Sequence, residues 1–337
     1  MKIAIIVLLA CGTFNLRADI CHLGDDLRSR EAAAGVPERR DFTPAARIKT
    51  MLEPFNCEDN IVFKFVPGPG GKEEKLEFLF IKPKVKKFSK APLVIYTHGG
   101  GWSNCDRYVA LWPNAVKAVT QLVENGIAVA SVEYRTTRRG VSTAYDCVVD
   151  CKDAARYFTS NAERFGIDPE RIAVWGGSAG GHLCLMTALG TDAKFPGDPA
   201  FKGVVPKFRA VCSWFPVTTF LDPAVLKGSN FELPGRWVVF LGGAYDEKME
   251  LAKVLSPVEY LKPDSVPVLL IHGDQDNVLP LTGSTYMLER AKQAGAPVEL
   301  LVVKGADHGF AGTNITPSLD EVQARTADFL TRHLLEP

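Results

Sequence analysis

The sequence predicts an α/β protein: a mostly parallel sheet of roughly eight strands with helices on both faces and a small lid-like insertion. Three observations lead there. From about residue 92 onward, short apolar β-rich runs alternate with longer helix-forming stretches, the pattern of βαβ units. Ahead of them, two runs separated by Gly68-Pro69-Gly70-Gly71 read as an antiparallel hairpin. The residues that carry chemistry fall just past strand ends, where open α/β sheets bind ligands.

The 337 residues fit two ordinary domains or one large α/β domain with insertions, and the order of elements favours one. Hydrophobic residues make up 46% and charged residues 23%, which are globular proportions. The 39 basic residues balance 39 acidic ones, so there is no electrostatic footprint for nucleic acid, and the expected ligand is small and weakly charged or uncharged.

Met1-Lys2 followed by the apolar run 3–10 is too short to span a bilayer but fits a signal peptide over 1–18. The expectation is export, to the periplasm, the outside or the bacterial envelope. Leu8-Leu9-Ala10-Cys11 resembles a lipoprotein cleavage box, whereas cleavage after Ala18 would remove Cys11; a lipid anchor there would be the only membrane attachment. Beyond the leader, Cys21, Cys57, Cys105, Cys147, Cys151, Cys184 and Cys212 form an odd set, of which Cys21 and Cys57 are the first pair to test for a disulfide. Cys184 and Cys212 sit in apolar runs and read as buried thiols. Cys147 and Cys151 lack nearby histidines, so no structural metal is expected.

Residues 19–60 read as a charged lead-in that wraps the surface, and 61–337 as the catalytic domain. Hairpin strands are expected at 61–66 and 76–83. The parallel strands follow at 92–97, 127–134, 171–175, 208–215, 267–272 and 298–304, with helices near 109–125, 144–165, 180–189, 281–294 and 319–333. The stretch 218–260, with Pro223, Pro234, Gly228, Gly235, Gly242 and Gly243, is too long for a simple connection and reads as the lid.

The chemistry centres on Trp175-Gly176-Gly177-Ser178-Ala179-Gly180-Gly181, which lies where a predicted strand becomes a helix. A serine there sits on a strained turn with its hydroxyl pushed forward, and side chains at Gly176 and Gly180 would collide with the adjoining elements. The helix N-terminus favours negative charge developing beside Ser178. Upstream, Tyr96-Thr97-His98-Gly99-Gly100-Gly101-Trp102 places bare backbone after a buried strand, which suits an oxyanion formed in acyl transfer. A phosphate loop is the competing reading, but neither G-x-x-x-x-G-K-[ST] nor G-x-G-x-x-G is present. Gly100, Gly101 and Ala179 are therefore the expected oxyanion-hole donors, and His98 an organiser of the loop.

Ser178 needs a base and a carboxylate to orient it, in the chain order serine, acid, histidine. His272-Gly273-Asp274-Gln275-Asp276 offers two acids past a strand; Asp276, deeper in the loop, is the choice and Asp274 the fallback. Ala306-Asp307-His308-Gly309 supplies the base, His308. His182 and His272 read as packing or structural residues, and His333 as a solvated one. Trp102, Trp214 and Phe215 are candidates for a substrate pocket or for core. This chemistry calls for no cofactor; its partner is a small-molecule or oligosaccharide ester.

On these motifs the chain resembles the α/β-hydrolase superfamily, and within it the esterase/lipase group with the His-Gly-Gly-Gly-Trp loop, close to exported acetylxylan esterases and feruloyl-esterase-like proteins. The likeness runs from about Ala91 to the C-terminus and includes Val132-Glu133-Tyr134-Arg135, Asp150-Cys151-Lys152-Asp153-Ala154-Ala155 and Leu255-Ser256-Pro257. It implies an eight-stranded, mostly parallel sheet with Ser178, Asp276 and His308 as a triad, acting on short-acyl esters such as acetylated or feruloylated plant polysaccharide fragments. Many relatives carry Gly-Asp or Gly-Ser where this chain has Asn104-Cys105-Asp106, a departure beside the acyl pocket. Glu133 and Arg135 read as a structural ion pair. The alternatives are an amidase of the arylformamidase type and a non-catalytic binding module on a hydrolase fold.

Overall fold

Alternation along the central strands decides the layering. In Ala91–Thr97, Leu93 and Ile95 join one apolar cluster while Val94 and Tyr96 join another; in Ile167–Gly177, Ile172 and Val174 separate from Ala173 and Trp175 in the same way. Successive side chains of a strand point to opposite faces, so a strand apolar at every position must be covered on both. The structure, a computed structural model, describes residues 42–336. The leader with Cys11 lies outside the described residues, as does Cys21, the expected partner of Cys57.

Helix α1 (Ala45–Leu52) precedes the hairpin of β1 (Cys57–Pro67) and β2 (Glu73–Ile81). Then come β3 (Ala91–Thr97), α2 (Val116–Glu124), β4 (Ala128–Val132), α3 (Ala144–Ser160), α4 (Ala162–Phe165), β5 (Ile167–Gly177), α5 (Ala179–Leu189) and β6 (Phe208–Trp214). The connection to the next strand carries α6 (Pro223–Leu226), α7 (Pro234–Leu241) and α8 (Met249–Val254), and the chain ends with β7 (Val268–Gly273), α9 (Thr282–Ala294), β8 (Val298–Val303) and α10 (Leu319–Leu335).

The eight strands form one sheet in the order β1-β2-β4-β3-β5-β6-β7-β8. Pairing is antiparallel at β1–β2 and β2–β4 and parallel thereafter. On one face α2 and α10 bury Val119, Leu122, Val322 and Leu330 against Val94, Trp175 and Ile271; on the other α3, α5 and α9 bury Phe158, Leu185 and Met287 against Ile95, Val174 and Leu270. Ser318 and Glu321 cap α10 reciprocally, the Ser318 N–H donating to the Glu321 carboxylate (2.7 Å).

Three expectations are corrected in detail. The edge strand starts at Cys57 rather than 61, because Cys57 still pairs with Ile81 across the hairpin. The stretch 109–125 is not one helix: Trp112, ahead of Pro113, is extended (φ −75°, ψ 159°), as the proline ring demands of its predecessor, and α2 starts only at Val116. The helical stretch 144–165 breaks at Asn161 (φ −111°, ψ 22°). The segment at 218–260 is a cap of short helices whose Phe220, Phe231, Trp237 and Phe240 are buried together with Trp102.

Candidate active site

The turn from β5 into α5 places Ser178 at φ 58°, ψ −123°, a strained conformation for a residue with a side chain. What permits it is a close crossing behind the serine. A Cβ on Gly180 would lie 2.0 Å from the Thr97 carbonyl oxygen, and one on Gly176 would lie 2.4 Å from the Gly180 carbonyl oxygen, so only bare backbone lets α5 start against β3. Thr97 Oγ1 closes the crossing by donating to the Gly180 carbonyl (2.8 Å).

His308 follows β8 and Asp276 follows β7, so the sheet brings together residues far apart in the chain. His308 Nε2 lies 3.0 Å from Ser178 Oγ, and His308 Nδ1 lies 2.8 Å from Asp276 Oδ2. The other oxygen, Oδ1, accepts from the N–H groups of Val278 and Leu279, each at 2.9 Å. Burial alone would raise the Asp276 pKa; hydrogen bonds from His272 and His308, the charge of His308 and the Leu279 N–H outweigh it and hold the carboxyl well below the usual carboxylate range. Asp274 is elsewhere: it is exposed and accepts from the Gly305 N–H (2.7 Å).

The glycine loop runs directly past the serine. A Cβ on Gly99 would sit 3.5 Å from Ser178 Cβ. The loop is tied down carbonyl by carbonyl: Tyr134 Oη donates to His98 (2.9 Å) and Gly99 (3.1 Å), Ser103 and Asn104 N–H groups donate to Gly100 (3.1 and 3.0 Å), and the Thr137 N–H donates to Trp102 (2.7 Å). With the carbonyls held, the N–H groups of Gly100, Gly101 and Ala179 have no acceptor among the described residues. Three unmet donors beside a serine form a site able to receive an oxyanion.

Three further histidines among the described residues, His98, His182 and His333, are structural. His98 is buried and stacks on Tyr134 (4.2 Å between ring centroids). His182 accepts from Trp102 Nε1 (3.2 Å) at Nδ1 and donates from Nε2 to the Leu255 carbonyl (2.8 Å). His333 packs on Phe329 in α10. Trp214 belongs to the core, its Nε1 donating to Thr326 Oγ1 (2.9 Å), whereas the Phe215 ring lies 4.5 Å from that of His308. Asp106, part of the departure after the loop, accepts from the Thr43 N–H (2.6 Å) and Oγ1 (2.9 Å) and so anchors the segment just before α1. Glu133 and Arg135 do not pair with each other: Glu133 meets Arg107 and Arg135 meets Asp150, as the two side chains leave the strand end toward different elements.

Two contacts were not anticipated. His272 reaches Asp276 as well as its own structural partners. Arg236 of α7 donates to the Gly101 carbonyl (2.6 Å) and so ties the cap to the glycine loop. The i, i+4 spacing of His272 and Asp276 is the signal that could have found the first; nothing periodic marks Arg236 in its irregular segment.

The chain matches the BD-FAE family over residues 79–290. It is 28% identical over 246 residues to the esterase LipQ of Mycobacterium tuberculosis, covering 72% of this chain and 56% of that protein. It is also 27% identical over 229 residues to isoprenylcysteine alpha-carbonyl methylesterase ICME of Arabidopsis thaliana, covering 64% and 50%. The chain thus spans about half the length of the curated relatives it matches. Among solved structures, the esterase Est2 of Thermogutta terrifontis is 25% identical with a TM-score of 0.65 in its native form, covering 82% of this chain and 92% of that one. Its butyrate-bound form gives the same identity and score. The eight-stranded sheet and these neighbours show an α/β-hydrolase fold.

Proposed function

The chain belongs to the BD-FAE family, and from that premise we propose that it is a serine carboxylic-ester hydrolase. The observation that carries the reading is the unbroken relay from Ser178 Oγ through His308 to Asp276, at 3.0 and 2.8 Å. His308 takes the Ser178 proton as the oxygen attacks the ester carbonyl, and Asp276 holds the imidazole in the tautomer that can accept it. The N–H groups of Gly100, Gly101 and Ala179 receive the oxyanion; the alcohol leaves with the proton from His308, and water then hydrolyses the acyl-enzyme by the same route. The relay calls for no cofactor.

The substrates in this reading are short-acyl esters, including acetylated or feruloylated plant polysaccharide fragments. The butyrate-bound structural neighbour supports the short acyl chain. Export directed by 1–18, with or without a lipid at Cys11, belongs to the same proposal and suits substrates met outside the cell.

The test is hydrolysis of p-nitrophenyl acetate, butyrate and octanoate by the purified protein beside Ser178→Ala. Activity that falls with chain length and vanishes in the variant is expected. A folded protein inert on all three esters but active on an N-formyl anilide would overturn the reading in favour of an amidase; one inert on every substrate would overturn it in favour of binding alone.

A further inference from the structure

Among the described residues the buried cations all face carboxylates, whereas a half-buried one beside the glycine loop does not. Lys64, Arg107, Lys152 and Arg156 are buried, and each faces at least one carboxylate: Asp150 and Asp153, Asp59 and Glu133, Asp192, and Asp153 with Asp192 respectively. Arg236 faces none among the described residues. Its guanidinium lies over the rings of Phe231 (5.2 Å), Trp102 (5.5 Å) and Phe240 (5.8 Å) and spends one N–H on the Gly101 carbonyl (2.6 Å). Its Nε is enclosed without a hydrogen-bond partner among the described residues, although the residue as a whole is only half-buried.

Aromatic faces and one carbonyl offset part of the dehydration of a guanidinium, but they do not neutralise it. Dehydration pulls the Arg236 pKa down to about 10, which still leaves the cation intact at neutral pH. A planar fork with spare donors and no internal counter-ion is suited to a carboxylate, which it grips in bidentate fashion. Its place makes that carboxylate part of a substrate. Gly99 abuts Ser178, and Gly101, whose carbonyl the guanidinium holds, is two residues further along the same loop, at most roughly 7.6 Å away at 3.8 Å per residue.

We propose that Arg236 is a substrate-recognition residue: it binds a carboxylate carried by the ester, on its acyl or its alcohol side, beside the oxyanion loop. The proposal rests on the ester-hydrolase reading and narrows its substrates to acidic esters. The balanced net charge of the chain does not bear on it, since a bound carboxylate responds most strongly to the nearest charge.

The experiment compares kcat/KM within two matched pairs: p-nitrophenyl hemisuccinate against p-nitrophenyl butyrate for the acyl side, and 4-carboxyphenyl acetate against 4-methylphenyl acetate for the alcohol side. In one pair the acidic ester is expected to lead by at least about tenfold, the lead shrinking to near unity in Arg236→Met and surviving in part in Arg236→Lys. If Arg236 only braces the Gly101 carbonyl, acidic and neutral esters lose rate together, the ratio is unchanged, and the proposal is overturned. It is equally overturned if the native protein turns over the neutral esters and shows no acidic preference in either pair. Should no ester be turned over, the hydrolase reading fails separately. Calorimetric titration of Ser178→Ala with monomethyl succinate and 4-carboxyphenyl acetate then decides the binding claim: charge-selective binding lost on adding Arg236→Met sustains it, and its absence refutes it.

Discussion

His272 Nε2 lies 3.3 Å from Asp276 Oδ2, the same oxygen that meets His308 Nδ1 at 2.8 Å. One carboxylate oxygen thus links a fully buried histidine of β7 to the histidine that faces Ser178. His272 is itself fixed, with Nε2 donating to the Leu279 carbonyl (2.8 Å) and Nδ1 against Ser284 Oγ (2.8 Å) of α9. With Nε2 carrying the proton, Nδ1 accepts from the serine hydroxyl, so a neutral ring satisfies every partner.

His272 is therefore a positioning residue for Asp276. Replacing it with Phe removes the donor to Oδ2 and lets the carboxylate swing. The expected result is a fall in kcat of roughly ten- to hundredfold with KM within about twofold, because the substrate-facing loop is untouched. Steady-state kinetics on p-nitrophenyl butyrate reads this, with the unfolding midpoint as control. A variant that loses stability yet keeps its kcat would show that His272 serves packing alone.

Asp276 and Asp274 differ in burial and partners, and their variants should separate accordingly. Asp276→Asn leaves the His308 tautomer wrong and is expected to lower kcat by on the order of 10⁴, as Ser178→Ala is by on the order of 10⁶. Asp274→Asn weakens only its bond to the Gly305 N–H on an exposed loop and should keep activity within about threefold. Parallel activity assays of the three variants at neutral pH check this, and a larger loss at Asp274 than at Asp276 would reverse the assignment of the acid.

Gly180 and Gly101 test different uses of bare backbone. A Cβ on Gly180 meets the Thr97 carbonyl at 2.0 Å and the His98 carbonyl carbon at 2.7 Å, both backbone in a central strand end. Gly180→Ala should not yield soluble folded protein. At Gly101 the nearest atom to a Cβ, in the Arg236 side chain, is 3.7 Å away, so Gly101→Ala carries only the strain of φ +60°, about 1 kcal/mol, and should lower Tm by roughly 2 °C. Soluble yield and thermal melts distinguish the two.

The sheet was legible because its central strands are almost continuously apolar and its strands are separated by glycine and proline signals, and the eight strands expected are those formed. The serine turn was legible because its constraint is local: glycines at fixed offsets announce a crossing too tight for a Cβ. The pairing of Glu133 with Arg107 was not, since nothing near Glu133 in the sequence points to a residue on another element. The cap was opaque for a related reason. Its helices are too short to show a period, and Arg236 acquires meaning only when Gly101, 135 positions away in the chain, is folded against it.

His182 gives the molecule an acid weakness that can be predicted with its sign. Both ring nitrogens are committed, Nδ1 as acceptor from Trp102 and Nε2 as donor to Leu255, in a site with no exposure to solvent. A second proton would have to enter at Nδ1, facing a donor. Burial accordingly lowers the pKa from 6.5 to about 4, against a smaller opposing effect of the Leu255 carbonyl. Between pH 6.5 and about 4 the unfolded chain binds this proton and the folded one does not, so stability falls as pH falls through that window, by up to about 3 kcal/mol at its lower end. The contribution is fully present above pH 6.5. His182→Gln, which can still accept and donate but cannot ionise, should be less stable than the native protein at pH 7 yet lose less on going to pH 4.5. Thermal melts of both proteins at pH 7, 5.5 and 4.5 measure the difference in slope. Parallel slopes would place the acid loss in other groups and leave His182 without a part in it.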